Sequence, residues 1–339
     1  MKHKILFVER KPSEFISIEK VFRQNARHLP DGLFEVEFQQ LPYGNNLFGI
    51  LKNLLFYRRQ PADIYHITGH IHYIALLFPK RNTVLTIHDL VILDRRSGLR
   101  RYVLKKLLFD WPLKKLDYIT VVSEATKTAL LKCTNVNAHK IRVIENPLGD
   151  GFDAEPERQF NRKCPTILQV GTMQNKNVPA LIRAISGLKC RLRIIGRMDD
   201  KIIQALEANG TSYENVSDLG SDQIVEEYRS SDIVAFCSTS EGFGLPIIEA
   251  QAMRKAVVTS DLSPMKEIAG GGAFLADPYD ASSIRSGILK LMNEPKLRNE
   301  LIERGVKNVE RFDPKTIARQ CADLYEEILA NCKSRRTTD

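Results

Sequence analysis

The sequence predicts an α/β fold with two parallel sheets and crossover helices. Short apolar runs alternate with helix-like stretches in two successive series, which is the pattern of βαβ units. The chain has 339 residues, more than the roughly 250 to 300 residues at which a single hydrophobic core stops growing. The hydrophobic fraction of 43% is typical of a globular protein. Two domains are therefore expected.

The first series of elements occupies residues 1–150, which we assign to an N-terminal domain. The expected strands are the apolar runs KILFVE (4–9), FEVEFQQL (34–41), DIYHITG (63–69), TVLTIHDL (83–90) and YITVVS (118–123). A helix is expected at FISIEKVFRQNA (15–26), and a basic helical segment precedes the last of these strands.

The second series of elements predicts a C-terminal domain over residues 166–312. Its expected strands are TILQVG (166–171), CRLRIIG (190–196), DIVAFCS (232–238) and AVVTS (256–260), separated by helical patterns such as NVPALIRAIS (177–186) and SDQIVEEYRSS (221–231). The stretch 151–165 is poor in apolar periodicity and is assigned as the linker. Residues 313–332 read as one helix, capped by Asp313 with Pro314 at its first position, followed by a tail at 333–339.

Positive charge is concentrated in the first half of the chain. Residues 1–150 have 24 Lys and Arg against 14 Asp and Glu, a net charge of +10, whereas residues 151–339 have 26 against 27, a net charge of −1. The segment 95–115 carries eight of these cations and only Asp110 as an acid; the cations are Arg95, Arg96, Arg100, Arg101, Lys105, Lys106, Lys114 and Lys115. Apolar residues are interleaved with these cations. The segment is therefore either a surface that contacts an anionic membrane or a helix whose basic face is solvated. No motif for reading nucleic acid accompanies the charge, so that partner is not expected.

The sequence also bears on the compartment. No apolar run approaches the roughly 18 residues of a membrane span, and MKHKILFVER at the amino terminus lacks the apolar region of a signal peptide. The six cysteines stand far apart with no C-x-x-C pair, which favours reduced thiols over disulfides or a zinc site. A cytoplasmic protein is expected, either free or peripheral on the inner face of the cell membrane.

The most informative motif is EGFGLPIIEA (241–250), in which Glu241 and Glu249 stand on either side of a glycine-rich turn. Gly242 and Gly244 allow a ligand to approach the main chain, and a helix that begins here would offer unpaired N–H groups to a phosphate. Glu249 would lie about one turn into that helix, where a carboxylate can accept two hydrogen bonds from a ribose diol. The spacing suits a sugar nucleotide, and the alternative is an ordinary surface loop before an amphipathic helix.

The string as a whole closely resembles the signature of retaining glycosyltransferases of family four, whose GT-B fold consists of two facing Rossmann-like domains. Further segments are similar to that family in order along the chain: VGTMQNKN (170–177), RLRIIG (191–196), DLGSDQIVEEYRSSD (218–232) and AVVTSDLSPMKEIAGGGAFLADP (256–278). The resemblance covers roughly residues 165–330 well and the first half loosely. It implies a terminal helix that crosses back to the first domain.

By this resemblance, the nucleotide sugar donor is bound by the second domain. The expected donor-binding residues are Gly171, Thr172, Lys176, Arg197, Gly242, Phe243, Gly244, Leu245 and Glu249. Lys176 would neutralise the donor diphosphate and Glu241 would position hydroxyls of the donor sugar. Many relatives have an arginine where this chain has Thr172, and Arg197 is one candidate for the missing charge.

Three histidines and one loop of the first half are the remaining site candidates. His88 ends the run TVLTIHDL and is the expected catalytic histidine near the transferred sugar, with a structural hydrogen-bonding role as the alternative. His66 and His70 are second candidates. The loop ERKPSEFIS (9–17) has no glycine, unlike the first loop of many relatives, so a different acceptor is conceivable.

The resemblance predicts transfer of a hexosyl unit, with retention, to a glycan or lipid-linked acceptor in envelope polysaccharide or lipopolysaccharide synthesis. No cofactor or divalent metal is expected, because Lys176 and the helix start at 243–245 would stabilise the leaving diphosphate. A sugar-nucleotide epimerase and a catalytically silent binding subunit remain alternatives. An NAD oxidoreductase is disfavoured, since no G-x-G-x-x-G follows a predicted strand.

Overall fold

A computed structural model describes residues 2–11, 17–94, 97–153 and 159–336. The chain divides into two compact units, the first formed by Met1–Pro147 with Asp313–Asp339 and the second by Leu148–Phe312. Parts of four predicted segments lie outside the described residues: positions 12–16 of the first loop, Arg95 and Arg96 of the basic segment, positions 154–158 of the linker, and positions 337–339 of the tail.

The first unit contains a six-stranded parallel sheet in the order β2-β1-β3-β4-β5-β6. Its strands are β1 (His3–Glu9), β2 (Phe34–Gln40), β3 (Ile64–Ile67), β4 (Thr83–Ile87), β5 (Tyr118–Val121) and β6 (Ile141–Val143). The chain proceeds from β1 to β2 on one side and then returns to place β3 on the other side of β1. The switch point of the sheet therefore lies between β1 and β3, where ligands of open α/β sheets bind.

Helices connect these strands. They are α1 (Ser17–Arg27), α2 (Leu47–Phe56), α3 (Val91–Asp94), α4 (Gly98–Lys105), α5 (Trp111–Lys115) and α6 (Glu124–Cys133), with 3₁₀ turns at His72–Leu77 and Ala138–Lys140. Residues Lys106–Asp110 form a π-helical stretch that joins α4 to α5 without leaving helical backbone angles. The basic segment is thus helical from Gly98 to Lys115 with one wide turn in its middle.

The second unit contains a six-stranded parallel sheet in the order β12-β11-β10-β7-β8-β9. Its strands are β7 (Thr166–Val170), β8 (Arg191–Ile195), β9 (Tyr213–Val216), β10 (Ile233–Phe236), β11 (Ala256–Ser260) and β12 (Phe274–Ala276). The helices are α7 (Val178–Ile185), α8 (Asp200–Asn209), α9 (Ser221–Ser230), α10 (Leu245–Ala252), α11 (Met265–Ala269), α12 (Ala281–Asn293) and α13 (Pro295–Val309), with 3₁₀ turns at Gln174–Lys176 and Glu310–Phe312. The switch point lies between β7 and β10.

The last helix, α14 (Pro314–Arg336), belongs to the first unit and packs against α1 and β3. Its Ala318, Ala322 and Tyr325 are buried with Ile5 and Phe7 of β1, on one face of the first sheet. Leu6 and Val8 of β1 point to the opposite face, into a second apolar cluster formed by the connections to β4 and β5. Both faces of the inner strands are covered, which explains why β1, β3 and β4 read as nearly continuous apolar runs.

Among the described ranges, none of the helices has the length and apolar content needed to cross a membrane.

Candidate functional site

The switch point of the second sheet brings together two side chains predicted for the donor site. Lys176 follows β7 and Glu241 follows β10, which are neighbouring strands. The Nζ of Lys176 lies 2.7 Å from Oε1 of Glu241, and both side chains are mostly buried, with 17% and 14% of their surfaces exposed. The Lys176 ammonium also lies 4.6 Å above the centroid of the Phe236 ring. A cation and an anion therefore meet where a ligand of this fold class binds.

The loop after β7 is shaped to hold Lys176 in place. Gly171 has a φ of +85°, and a Cβ at this position would lie 3.2 Å from Cε of Lys176, so a larger residue would both strain the backbone and crowd the lysine. The Asn175 amide nitrogen donates to the Ser240 carbonyl at 2.9 Å and to Oε1 of Glu241 at 3.2 Å. These bonds tie the loop after β7 to the loop after β10. Asn175 was not among the predicted site residues.

Helix α10 begins at this same edge of the sheet. Gly244 caps it with a φ of +124°, which a residue with a side chain rarely adopts, and a proline stands in its first turn. Leu245 is its first residue, Pro246 has no N–H, and the Ile247 N–H donates to the Gly244 carbonyl at 3.0 Å, so the backbone that can meet a ligand here is that of Gly242 to Leu245. The side chain of Phe243 is buried and packs edge-on against Phe312 at 5.7 Å between ring centroids. Phe243 can therefore contribute its main chain to a ligand, while its ring anchors the turn.

Glu249 lies on the first turns of α10 and is held by a tyrosine from the neighbouring helix. The Tyr228 hydroxyl donates to Oε2 of Glu249 at 2.5 Å. Burial raises the pKa of Tyr228 well above its usual range, and the Glu249 carboxylate adds to the effect, so this tyrosine stays protonated and remains a donor. The bond fixes one carboxylate oxygen and orients the other. Sequence reasoning missed Tyr228, because an aromatic residue at helical spacing resembles an ordinary core position.

Thr172 stands where many relatives have an arginine, and Arg197 is the candidate for supplying that charge. The two residues are adjacent in space. The Thr172 hydroxyl donates to the Arg197 carbonyl at 2.5 Å, which joins the loops that follow β7 and β8. The Arg197 guanidinium lies 3.1 Å from Oδ1 of Asp218, and both side chains are 62% exposed. Arg197 is therefore near the expected diphosphate site through its backbone, while its charge is paired with Asp218.

His88 lies in the first unit, just after β4. It is 8% exposed, and its Nε2 lies 2.8 Å from the Thr68 carbonyl, so Nε2 carries the proton and donates. Burial lowers its pKa to about 4, with a further contribution from His70. Gly69 has a φ of +118°, and a Cβ there would come within 2.5 Å of the His88 ring. The imidazole is neutral at pH 7 and Nδ1 is then an acceptor.

The other two histidine candidates differ from each other. His66 is buried and uses both ring nitrogens, at 2.5 Å from the Tyr325 hydroxyl and 2.7 Å from Oγ1 of Thr86. Burial lowers its pKa to about 3, so it acts as a neutral link between the sheet and α14. His70 is 35% exposed at the carboxyl end of β3, with Nε2 at 3.7 Å from Oδ2 of Asp89.

Charged residues missed by the sequence reasoning lie at the switch point of the first sheet. Arg10 follows β1 and pairs with Glu19 of α1 at 2.7 Å, and Arg23 of α1 pairs with the buried Glu9 at 2.8 Å. Burial raises the pKa of Glu9, which the Arg23 guanidinium opposes. Arg10 and Glu19 are close enough to His70 to influence its pKa, so the three form one polar cluster.

The candidate site of the second unit combines positive and negative groups at one edge of the sheet. One lysine and the start of one helix point to the same edge of the sheet, and two carboxylates lie beside them. Within the described ranges, no group of three or more His, Cys, Asp and Glu is placed to hold a metal.

Comparison with known proteins assigns the chain to a family. The model of the glycosyl transferases group 1 matches residues 152–308, and that of Glycosyltransferase Family 4 matches residues 10–148. The MMP alpha-(1->4)-mannosyltransferase of Mycolicibacterium hassiacum is 25% identical over 306 residues, 80% of this chain and 72% of that protein. The O-antigen chain mannosyltransferase RfbU of Salmonella typhimurium is 26% identical over 250 residues, 71% of this chain and 68% of that protein.

Solved structures support the predicted fold class. Sucrose-phosphate synthase from Thermosynechococcus elongatus superposes with a TM-score of 0.80 at 15% identity, over 97% of this chain and 100% of that one. The family and fold predictions are confirmed, and the matches give no support to an epimerase or a silent binding subunit. The chain belongs to the group 1 glycosyltransferases of family four, with the GT-B fold, and is a hexosyltransferase that uses a nucleotide sugar donor.

Proposed function

We propose that this glycosyltransferase transfers a mannosyl unit, with retention, from a nucleoside diphosphate donor to a glycan or lipid-linked acceptor of a bacterial envelope polysaccharide. The observation that carries the proposal is the convergence of Lys176, Glu241 and the start of α10 at one switch point. Mannose is favoured because the two relatives named above are mannosyltransferases.

The site residues have separate tasks in this reaction. Bond cleavage between the anomeric carbon and the diphosphate builds negative charge on the leaving group. Lys176 and the N–H groups at 243–245 stabilise that charge, which is an electrostatic effect aimed at the transition state. Glu249 accepts from the ribose hydroxyls, and Glu241 positions hydroxyls of the transferred sugar. Glu241 and Lys176 must loosen their mutual contact when the donor enters, since each gains a new partner.

A donor panel tests the proposal directly. Thermal unfolding is measured with nucleoside diphosphates and their mannose, glucose, galactose and N-acetylglucosamine conjugates. A ligand at 100 times its Kd stabilises the folded protein by roughly 2.7 kcal/mol. The expected hit is a mannose conjugate, and release of its nucleoside diphosphate should require an acceptor-containing lipid extract. Epimerisation of the donor, or tight binding without turnover in that extract, would contradict the proposal.

We also propose that transfer needs no divalent metal, because the lysine and the helix start supply the positive charge that a metal would otherwise provide. Turnover is therefore expected to continue at the same rate after treatment with EDTA. A loss of rate that Mg²⁺ or Mn²⁺ restores would overturn this part of the proposal.

We further propose that the first unit rests on an anionic membrane through the exposed face of α2 and the basic segment. The exposed side chains of α2 are large and apolar: Leu47 is 72% exposed, Phe48 66%, Leu51 50%, Leu55 65% and Phe56 60%. Ile50 and Leu54 pack into the core of the first unit, so this ten-residue helix has apolar side chains on its outer side as well as on its inner side. Such a helix is unusual on a surface that contacts only water.

The charge around α2 favours an anionic lipid surface as the partner of its exposed apolar face. No acidic residue occurs between Glu37 and Asp63, whereas Lys52, Arg58 and Arg59 are present. The 3₁₀ turn at 72–77 packs against α2 on one side and against α5 on the other, which links α2 to the basic segment. There Leu99 is 77% exposed, Tyr102 59% and Trp111 53%. Apolar side chains can enter the headgroup region while cations contribute about 1 kcal/mol each near anionic lipid.

Vesicle sedimentation tests the membrane proposal. The full chain is expected to sediment with phosphatidylglycerol-containing vesicles and much less with pure phosphatidylcholine. The double substitution Leu51→Ser, Leu55→Ser should weaken binding at least tenfold, and Tyr279→Ser, at a 73% exposed aromatic residue of the second unit, is the matched control. Equal binding of wild type and the double variant, or no binding to anionic vesicles, would refute the surface.

A further inference from the structure

Asn175 attaches the turn that carries Lys176 to the loop that follows β10. This 3₁₀ turn, Gln174–Lys176, follows β7, the neighbouring strand of the sheet. The Thr239 N–H donates to the Asn175 carbonyl at 2.8 Å, and the Asn175 amide nitrogen donates to the Ser240 carbonyl at 2.9 Å. The two segments are therefore joined through both the main chain and the side chain of Asn175.

The Asn175 amide also contacts Glu241. Its Nδ2 lies 3.2 Å from Oε1 of Glu241, which is the same oxygen that lies 2.7 Å from Nζ of Lys176. One carboxylate oxygen thus accepts from a cation and from a neutral amide. Because both bonds end on Oε1, the second oxygen, Oε2, takes no part in them.

The hydrogen bonds of Asn175 fix the orientation of its amide. The amide nitrogen has two N–H donors, and here they bond to Ser240 and Glu241. The amide oxygen is buried and has no hydrogen-bond partner among the described residues. A flipped amide would place this oxygen against a carbonyl and a carboxylate, which are both acceptors. An unsatisfied buried oxygen is costly, and the two acceptors that the nitrogen binds account for its retention here.

We propose that Asn175 is a positioning residue, which keeps Glu241 directed at the transferred sugar after Lys176 has moved to the donor diphosphate. This inference rests on the roles proposed above for Lys176 and Glu241. Once the ammonium leaves, the carboxylate loses its charged partner and would be able to rotate. The amide remains in place, because its bond to Ser240 does not involve the ligand. Since an amide carries no charge, it holds one carboxylate oxygen and leaves the other to accept from sugar hydroxyls.

Asn175 is therefore expected to contribute to recognition of the sugar and not to binding of the nucleotide. Its side-chain bonds go to Ser240 and Glu241, whereas the diphosphate and the ribose are expected at the start of α10 and at Glu249. Loss of the amide should weaken the contribution of the sugar to donor affinity and leave the affinity for the free nucleoside diphosphate unchanged.

Calorimetric titration of the full chain separates these two affinities. The probes are GDP, UDP and their mannose and glucose conjugates. Asn175→Ala removes the amide, and Asn175→Asp keeps the size of the side chain but replaces the donor by an acceptor-only carboxylate. Asn177→Gly is the matched control in the same loop. The Asn177 amide donates only to backbone, the Cys237 and Pro278 carbonyls at 3.1 and 2.7 Å, and its φ of +59° suits glycine.

In both Asn175 variants the nucleotide sugar is expected to bind about tenfold more weakly, the scale of one hydrogen bond to a charged group. The Kd of the nucleoside diphosphate should stay near the wild-type value. Glu241→Ala should show the same pattern. Asn177→Gly should leave both Kd values near wild type, even where its Tm is lower.

Wild-type affinity for the nucleotide sugar in Asn175→Ala, together with a loss in Glu241→Ala, would overturn the positioning role alone. Wild-type affinity in Asn175→Asp would show that the size of the side chain matters and not its N–H donors, and would also overturn it. A parallel loss of nucleoside diphosphate binding, or the same sugar-specific loss in Asn177→Gly, would reduce Asn175 to a general attachment of the loop. No effect in Glu241→Ala, or no binding of any probe to the wild type, would refute the proposed function and this inference with it.

Discussion

The ammonium of Lys176 lies 2.7 Å from a carboxylate oxygen of Glu241, although 65 positions separate the two residues in the chain. Each of them lies in a segment that follows one of two adjacent strands, so the sheet fixes the distance between them. In the absence of a ligand the pair neutralises its own charge. In the proposed reaction we expect the donor diphosphate to compete with Glu241 for the lysine, so that the ion pair keeps Lys176 in position until the donor binds.

Substitution of Lys176 by alanine is expected to lower turnover by more than tenfold. In the proposed mechanism the lysine contributes positive charge where the leaving diphosphate develops negative charge, and loss of one such contact would raise the transition-state barrier by more than about 1.4 kcal/mol. Steady-state kinetics measure the effect, with Lys189→Ala at an exposed site of the second unit as control. Wild-type kcat in Lys176→Ala would remove this residue from the site.

Glu249→Ala is expected to weaken nucleotide binding, because the carboxylate is the expected acceptor for the ribose hydroxyls. Tyr228→Phe removes only the hydroxyl that holds Glu249 at 2.5 Å and should give a smaller loss in the same direction. Calorimetry with the free nucleoside diphosphate compares the two variants. If Tyr228→Phe has no effect on Kd while Glu249→Ala does, the tyrosine has no positioning role. Wild-type Kd in Glu249→Ala would reject the carboxylate assignment.

His88→Ala is expected to lower kcat while donor Kd stays near the wild-type value. The ring is neutral at pH 7, since burial lowers its pKa to about 4, and it lies in the unit that is not expected to bind the nucleotide. Titration with the nucleoside diphosphate and turnover assays separate the two quantities. A lower Tm with unchanged kcat would show that His88 is a structural hydrogen-bonding residue. His139→Gln, at an exposed histidine, is the control.

Arg197→Ala tests whether this residue replaces the arginine that relatives carry at the position of Thr172. If the guanidinium leaves Asp218 for the diphosphate, the variant should show a several-fold higher KM and lower turnover, as expected for one solvent-exposed charge contact. Asp218→Asn removes the carboxylate that pairs with Arg197, and this variant should lower KM or leave it unchanged. Unchanged kinetics in Arg197→Ala would leave Lys176 and α10 as the whole diphosphate site.

Acid is expected to destabilise the first unit through its buried histidines. The pKa of His66 is lowered to about 3 by burial, whereas an unfolded histidine titrates near pH 6.5. Below pH 6.5 the unfolded chain binds a proton that the folded protein does not, so the free energy of unfolding falls as the pH falls towards 3. The slope is about 1.4 kcal/mol per pH unit for each such histidine.

Denaturant unfolding between pH 4 and 6 should therefore show a smaller pH slope in His66→Gln than in the wild type, whatever the variant does to stability at pH 7. His139→Gln is again the control. An identical slope in His66→Gln and wild type would mean that His66 becomes protonated in the folded state as readily as in the unfolded chain.

The sequence was sufficient for the parts of the site that depend on local order along the chain. Two glycines before a helix start predict a phosphate-binding site, because the conformations that glycine permits and the N–H groups at a helix start are local properties. The observed φ of Gly244 and the start of α10 at Leu245 agree with that expectation. Alternating apolar runs likewise predicted two parallel sheets, since burial of both sheet faces demands nearly continuous apolar strands.

Residues that meet through tertiary packing could not be found in this way. Tyr228 and Arg10 carry no motif, and their partners Glu249 and Glu19 lie on other elements of the fold. The roles of the histidines were equally hidden, because the sequence places His66 and His88 near the ends of predicted strands but does not show that His66 contacts Tyr325 of α14.

The sequence by itself determined the fold class, the family and the segment that carries the expected diphosphate seat, because backbone conformation and strand burial are encoded in short stretches of residues. Only the tertiary structure decided which side chains are paired, buried or exposed: Lys176 with Glu241, His66 with Tyr325, and the apolar face of α2 left open. These properties depend on which strands are neighbours and which surfaces remain uncovered, and both are set by long-range packing that no local pattern contains.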